Sequence, residues 1–199
     1  MEIVIASRNK HKISELEALL SKYVDNVKLL SLNDVGLYED VEEDGTTFEE
    51  NAFIKARYAA RSGKISVGDD SGLCVNVLDG APGIYSARYA GEHGNDAANN
   101  AKLLSELVDK EDKSASFVCA FACVMPDGRE FAVLGKADGV ITDKASGNGG
   151  FGYDPIFYLP ELGKTFADLS AEEKNAISHR GRAIEAFAKK LGEFIEIGK

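Results

Sequence analysis

No apolar run in this sequence approaches the roughly 20 residues that a helix needs to cross a bilayer, which argues against a membrane protein. The first residues, Met1–Ile5, lack a charged start, a long apolar core and a cleavage site, so we expect no signal peptide. Cysteine is scarce, with three residues and no paired spacing. Cys74, Cys119 and Cys123 have apolar neighbours, which predicts reduced core thiols in a cytoplasmic protein.

Positive charge is also in short supply. The 23 Lys and Arg residues face 33 Asp and Glu residues, and the formal net charge is −10. This balance disfavours nucleic acid as a partner, because such binding depends on basic patches. It does not exclude a small anionic ligand, which responds to local clusters of charge. Cys119 and Cys123 have a spacing that zinc could use, but no His or third Cys lies nearby.

The pattern of apolar residues switches between strand-like and helix-like spacing along the 199 residues. Strands are predicted at 2–6, 27–30, 65–67 and 73–77, and a hairpin is predicted from 114–125 and 129–140. Helices are predicted at 13–24, 47–61 and 96–108, and after Ser170 and Ser178. The mixture predicts one α/β domain over 1–199: a long mixed β-sheet flanked by helices, with two lobes and a central active-site cleft.

The segment Gly68–Gly72 carries two adjacent carboxylates, Asp69 and Asp70, directly after the β-branched run Ile65–Val67. We expect them at a strand end, in a turn that the two glycines make flexible. Because neighbouring carboxylates repel each other, a magnesium ion that also binds substrate phosphates would share their charge. The alternative is an Asx-type turn with both acids in solvent. The pattern does not choose between the two acids, whose side chains face opposite ways in a strand.

Two predicted helix starts carry cations, which the helix dipole disfavours there by about 0.3–1 kcal/mol each. One is the loop of Ser7, Arg8, Asn9, Lys10, His11 and Lys12; the other is 178–182, with His179, Arg180 and Arg182, shortly after Lys174. An anion such as phosphate would compensate, since backbone N–H groups also point outward at these places. If the dipole decides, removing Lys12 should leave stability unchanged or slightly higher. The alternatives are a solvated basic loop and a structural histidine.

The segment 146–155 has four glycines in six positions, so its backbone can approach a ligand closely. Its spacing matches neither a Walker loop nor a dinucleotide fingerprint. Phe151 and Tyr153 could stack on a base, and the alternative is a glycine-rich turn with core aromatics.

An acidic run, 42–44, precedes the helix on which Asn51 and Lys55 share a face. Such a run is usually solvated. It matters for chemistry only if it reaches Asp70.

Four motifs in order resemble those of the inosine triphosphate pyrophosphatase family, and the resemblance covers nearly the whole chain. They are Ser7-x-Asn9-x-x-Lys12, with Arg8 in the place of the usual Gly, then 69–72, 149–155, and Lys174 with 178–180. The resemblance implies hydrolysis of ITP, dITP and XTP to the nucleoside monophosphate and pyrophosphate, which removes deaminated purines from the nucleotide pool. It also implies a magnesium requirement and a homodimer.

Carried over position by position, the resemblance implies that Asp70 is the catalytic base and that Glu43 and Asp70 bind magnesium. The implied triphosphate ligands are Ser7, Arg8, Asn9, Lys10, His11, Lys12, Lys55 and Ser71. The implied base and sugar ligands are Phe151, Gly152, Tyr153, Asp154, Lys174, His179 and Arg180. No nucleophile paired with a base is apparent, so we expect no covalent intermediate.

Two other functions use the same features. A nucleotide-binding sensor without turnover would need the basic helix starts and the glycine loop, but not the paired acids. A metal-dependent nuclease would need the acids, but the acidic net charge disfavours its substrate.

Overall fold

A computed structural model describes residues 1–197, apart from the side chains of His11, Glu196 and Ile197. The strands are β1 (Glu2–Ile5), β2 (Lys28–Leu30), β3 (Ile65–Val75), β4 (Ser114–Val124), β5 (Glu130–Ile141), β6 (Phe157–Leu159) and β7 (Lys164–Thr165). The helices are α1 (Lys10–Leu20), α2 (Phe48–Ala59), α3 (Asp96–Glu106), α4 (Ala171–Ile177) and α5 (His179–Ile197). None of these helices is long and apolar enough to span a bilayer.

All seven strands join one sheet in the order β2-β1-β3-β4-β5-β6-β7. β1 is parallel to both β2 and β3, with Ile3 opposite Leu29 and Ile65. At the other edge, β5 pairs with β6 and β6 pairs with β7, both antiparallel. The prediction of an α/β protein with a mixed sheet is therefore confirmed.

The chain divides into two compact units. The first unit contains residues 1–70, 119–135 and the chain from Arg180 onward; the second contains 71–118 and 136–179. In the first unit, α1 and α5 contribute Leu16 and Phe187 to an apolar core with Ile3 and Phe121. In the second, aromatic rings dominate the core, and the ring centroids of Phe117 and Phe157 are 4.6 Å apart.

The strand that carries the acid pair is longer than predicted. β3 runs without interruption from Ile65 to Val75, so Asp69 and Asp70 lie in the middle of a strand and the predicted turn is wrong. Gly68 serves packing instead of bending the chain. A Cβ at Gly68 would lie 2.2 Å from the Ala52 carbonyl oxygen and 2.6 Å from the Ala56 nitrogen, so only glycine lets α2 approach β3 this closely.

The helix starts are set by side-chain caps. α1 begins at Lys10, earlier than predicted, because Asn9 Oδ1 accepts a hydrogen bond from the Lys12 N–H at 3.2 Å. Thr47 caps α2 by accepting from the Glu50 N–H at 3.1 Å. The carboxylate of Glu50 also accepts hydrogen bonds from the N–H and the hydroxyl of Thr46, at 2.6 and 2.8 Å.

Candidate active site

The two acids of β3 lie in different surroundings. Their side chains alternate across the sheet, and Asp69 is only 3% exposed, whereas the Asp70 side chain is 16% exposed. Asp69 Oδ1 forms an ion pair of 2.8 Å with Lys12 Nζ. Burial by itself would raise the pKa of Asp69, but the nearby charges of Lys12, Lys55 and Arg180 outweigh it and hold that pKa below its usual value. Asp69 is thus a buried counter-ion for cations of the first unit.

Asp70 is held from α2. Its Oδ2 accepts a hydrogen bond from Asn51 Nδ2 at 3.1 Å, and its Oδ1 lies 3.9 Å from Lys55 Nζ. Asn51 is 1% exposed, and its own Oδ1 accepts from the Gly45 N–H at 2.9 Å, so its carboxamide is fixed at both ends. The carboxylate group of Asp70 is therefore held in one orientation.

The acidic loop before α2 reaches the same place, because Glu43 Oε2 contacts Lys55 Nζ at 2.7 Å. Burial would lower the pKa of Lys55, but Asp69, Asp70 and Glu43 together raise it above its usual value. Lys55 thus stays charged and links the two carboxylates that the sequence predicts as metal ligands.

The donor set fits magnesium bound jointly with a substrate. Among the described residues no group of three or more His, Cys, Asp or Glu side chains could hold a metal ion. Magnesium commonly uses one or two protein carboxylates and takes its other ligands from water and substrate phosphates. Glu43 and Asp70, gathered around one ammonium group, supply such a pair.

The loop that leads into α1 is organised by its own side chains. Ser7 Oγ accepts from the Asn9 N–H at 3.2 Å, and Lys10 is exposed. Arg8 turns toward the loop after β2, where it binds Asp40 Oδ1 at 3.0 Å and the Glu39 carbonyl oxygen at 2.6 Å. The side chain of His11 lies outside the described part of the structure.

The second unit holds most of the residues predicted for the base and sugar. Lys174 Nζ forms an ion pair of 2.6 Å with Asp154 Oδ2 and lies 5.1 Å from the centre of the Phe151 ring. Asp154 is 3% exposed, whereas Phe151 is 63% exposed. Phe151 is thus a largely exposed aromatic ring beside a charged pair.

Three other residues predicted for the base and sugar are much less exposed than Phe151. Tyr153 is 4% exposed and its hydroxyl donates to the Ser86 carbonyl oxygen at 2.8 Å, so the predicted stacking role of its ring is wrong. His179 is 8% exposed and stacks on Phe117 with the ring centroids 4.8 Å apart. Arg180 belongs to the first unit, where it influences Asp69 and lies 4.0 Å from Glu15.

The family model of the Ham1 family matches residues 3–190 of this chain. This chain belongs to the Ham1 family.

Among the relatives, the dITP/XTP pyrophosphatase of Clostridium perfringens is 50% identical over 199 residues, covering 96% of this chain and 97% of that protein. The dITP/XTP pyrophosphatase of Geobacter sulfurreducens is 51% identical over 193 residues, with 96% of each chain covered. Of the solved structures, the Staphylococcus aureus Ham1 protein superposes with a TM-score of 0.88 at 44% identity, with both chains covered completely.

In this Ham1 chain, the sequence analysis did not assign Asn51 to the candidate site. Asn51 shares a helical face with Lys55, and that spacing was the available signal. Its contact with Asp70, however, depends on the close approach of α2 to β3, and a motif does not show that approach.

Proposed function

We propose that this chain hydrolyses the nonstandard purine nucleoside triphosphates ITP, dITP and XTP between the α and β phosphates, giving the monophosphate and pyrophosphate and removing deaminated purines from the nucleotide pool. The observation that carries the proposal is the cluster in which Asn51 and Lys55 hold Asp70 beside Glu43. The relatives named dITP/XTP pyrophosphatase, about half identical over nearly the whole chain, support the substrate class.

The proposal includes magnesium, which Glu43 and Asp70 would hold. When bound, the ion would neutralise phosphate charge and polarise the scissile phosphorus centre. Asp70 orients the attacking water and accepts its proton, and its hydrogen bond from Asn51 fixes the orientation of the carboxylate for this task.

Positive charge for the triphosphate would come from Lys10, Lys12 and Lys55. Backbone N–H groups at the start of α1, with Ser7, Asn9 and Ser71, would supply further donors. Lys12 and Lys55 are anchored by Asp69 and Glu43, so their ammonium groups are placed before substrate arrives. Arg8 supports this site from its contact with the loop at 39–40.

The base would stack on Phe151, the exposed aromatic ring of the glycine-rich segment. Lys174, His179 and Arg180 would supply donors for a 6-oxo group, with Asp154 and the backbone of Gly152 and Tyr153 completing the surroundings. Lys174 has three N–H donors, so its bond to Asp154 leaves others for a ligand.

Steady-state assays with ITP, dITP, XTP, GTP and ATP test the function, with and without magnesium and with separate detection of pyrophosphate and orthophosphate. We expect pyrophosphate as the first product, a requirement for a divalent ion, and no cleavage of oligonucleotides. Orthophosphate as the first product would contradict the mechanism. Tight binding of ITP without turnover would instead support a sensor.

We also propose that the chain acts in the cytoplasm as a homodimer. The location rests on the three unpaired cysteines and the homodimer on the family resemblance, and the assembly is tested below.

A further inference from the structure

The first turns of α3 hold the glycine-rich segment of the second unit. Asp96 Oδ2 accepts a hydrogen bond from the Gly152 N–H at 2.7 Å, and Asn100 Nδ2 donates to the Gly152 carbonyl oxygen at 3.0 Å. Asp96 and Asn100 are four residues apart, so they lie on one face of the helix. Neither belongs to any motif of the sequence analysis.

These two bonds fix two successive peptide planes. The Gly152 N–H belongs to the peptide that follows Phe151, and the Gly152 carbonyl belongs to the peptide that precedes Tyr153. Gly152 has φ +62°, a conformation that glycine enters and leaves freely because no side chain restricts it. Without Asp96 and Asn100, rotation about Gly152 would therefore be the softest point of this backbone.

Both neighbours of Gly152 have separate anchors. Tyr153 is buried, with its hydroxyl bonded to Ser86. On the other side, the Phe151 N–H donates to Asp154 Oδ2 at 2.9 Å, although the Phe151 ring itself is exposed. An aromatic ring on a fixed backbone loses less conformational freedom when a flat ligand stacks on it.

Asn100 shows a feature that stability alone does not explain. Its Oδ1 is buried without a hydrogen-bond partner in the described structure, while its Nδ2 binds Gly152. An unsatisfied buried acceptor lowers stability. Asn100 therefore contributes through its Nδ2 donor, which binds Gly152 of the glycine-rich segment.

We propose that Asp96 and Asn100 are positioning residues for the nucleobase, which act through Gly152 to hold the Phe151 ring where a base stacks. The part that concerns the base rests on the proposed function. The part that concerns the orientation of Phe151 does not, and it has its own measurement.

That measurement uses Phe151→Trp as a reporter, because the sequence contains no tryptophan. Time-resolved anisotropy of the ligand-free protein then reports motion of this one ring. Asn100→Ala and Asp96→Ala should each increase the amplitude of the fast motion, whereas Asp96→Asn, which keeps an acceptor for Gly152, should restore the original value.

Asn99→Ala is the matched control, since Asn99 is a buried carboxamide of the same helix. It binds the Ala87 carbonyl oxygen at 3.3 Å and the Ala90 N–H at 2.7 Å, not the glycine loop. Greater motion in the Asn100→Ala protein with none in the control supports the proposal. Equal anisotropy in all these proteins, or an equal increase in the control, overturns it.

Kinetics in the Phe151 background test the consequence for substrate. Loss of either positioning residue should raise KM for dITP by about tenfold with kcat changed by less than about twofold, as for loss of one or two hydrogen bonds that act on binding. Inhibition by inorganic triphosphate, which has no base, should stay the same. Parallel weakening of both ligands would overturn the assignment to the base. If the unmodified chain hydrolyses no nucleotide, the proposed function fails, while the anisotropy still decides the positioning of Phe151.

Discussion

At the scale of single residues, the two adjacent carboxylates of the candidate site have different roles. Asp69 faces the interior and neutralises Lys12, whereas Asp70 keeps a partly exposed carboxylate whose orientation comes from Asn51. The sequence predicts both acids and their opposite directions from strand alternation. It does not predict which one faces inward, because that depends on the helices that pack against each face.

Asp70→Asn should lower kcat by about 10²–10⁴-fold while the melting temperature stays close to the original, since the amide keeps the shape but loses the charge and basicity. Pre-steady-state and steady-state assays with ITP measure the first effect, and calorimetry measures the second. Asp69→Asn is the paired variant. If it abolishes turnover while Asp70→Asn retains near-normal kcat, the wrong acid has been assigned.

Lys12→Ala should lower the free energy of unfolding by about 1–3 kcal/mol, because it leaves the buried carboxylate of Asp69 with only its remaining neighbours. This reverses the expectation from the helix dipole, which concerns an exposed lysine. Lys10→Ala, which removes an exposed lysine of the same turn, is the control and should change stability by less than about 0.5 kcal/mol. Equal melting curves for the two variants would contradict a stabilising role for Lys12 and leave only its proposed role in ligand binding.

At the scale of elements, the packing of α2 on β3 determines where the site forms. Gly68, Ala52 and Ala56 bring the helix and the strand together, and this brings Asn51 and Lys55 to Asp70. The sequence predicts α2 well, since a helix is expected at 47–61 and the structure has one at Phe48–Ala59. It misassigns the centre of β3, because two glycines and two acids are typical of turns and the reason for Gly68 lies 16 residues earlier, at Ala52.

Gly68→Ala should destabilise the chain by at least about 2 kcal/mol and reduce kcat, since the added methyl would overlap the α2 backbone. Gly192→Ala is its counterpart, because a Cβ there meets no atom within 4 Å and Gly192 lies inside α5. We expect that change to stabilise the chain by about 0.5–1 kcal/mol. Chemical denaturation of both variants, with the ITP assay, checks the pair. A silent Gly68→Ala would mean that α2 shifts without loss.

At the scale of the whole molecule, the many acidic residues influence how stability depends on pH. They do not determine which kind of ligand is bound. Several carboxyl groups have lowered pKa values, among them Asp168, which accepts hydrogen bonds from the Thr165 N–H and the Ser146 hydroxyl. The net charge of −10 gives no hint of the local positive charges of Lys12 and Lys55, which are the proposed ligands of the triphosphate. The short strands β6 and β7 also escaped the sequence analysis, because two or three residues are too few to show a period.

The pH dependence of stability follows from these directions. A carboxyl whose pKa is lower in the folded state stabilises the fold above its unfolded pKa of about 4, and this contribution is lost as the pH falls through the folded pKa. The melting temperature should therefore drop steadily below about pH 4. Asp168→Asn should flatten part of that drop, and calorimetry between neutral and acidic pH measures both. An unchanged acid limb in Asp168→Asn would exclude this carboxyl as a contributor.

Light scattering tests the proposed assembly at micromolar concentration. A homodimer has twice the chain mass of 21.4 kDa, and a mass near 21.4 kDa would count against the proposal.

Selectivity is the last property of the whole enzyme to test. We expect kcat/KM for ITP and XTP well above that for GTP, and GTP at or above ATP. Donors from Lys174, His179 and Arg180 would meet a 6-oxo acceptor but oppose the amino group of adenine. A mismatch of this kind is worth up to about 10⁴-fold. Turnover of ATP equal to that of ITP would refute the donor assignment.

The buried charge of Asp69 also bears on how the first unit opens. Its cations come from three helices, since Lys12 lies in α1, Lys55 in α2 and Arg180 in α5. If one helix frays, the buried carboxylate of Asp69 keeps less compensating charge, so partial opening of the first unit carries an additional cost. In native-state hydrogen exchange, amides near these three residues should exchange in one cooperative step, and binding competence would be lost only when the unit unfolds.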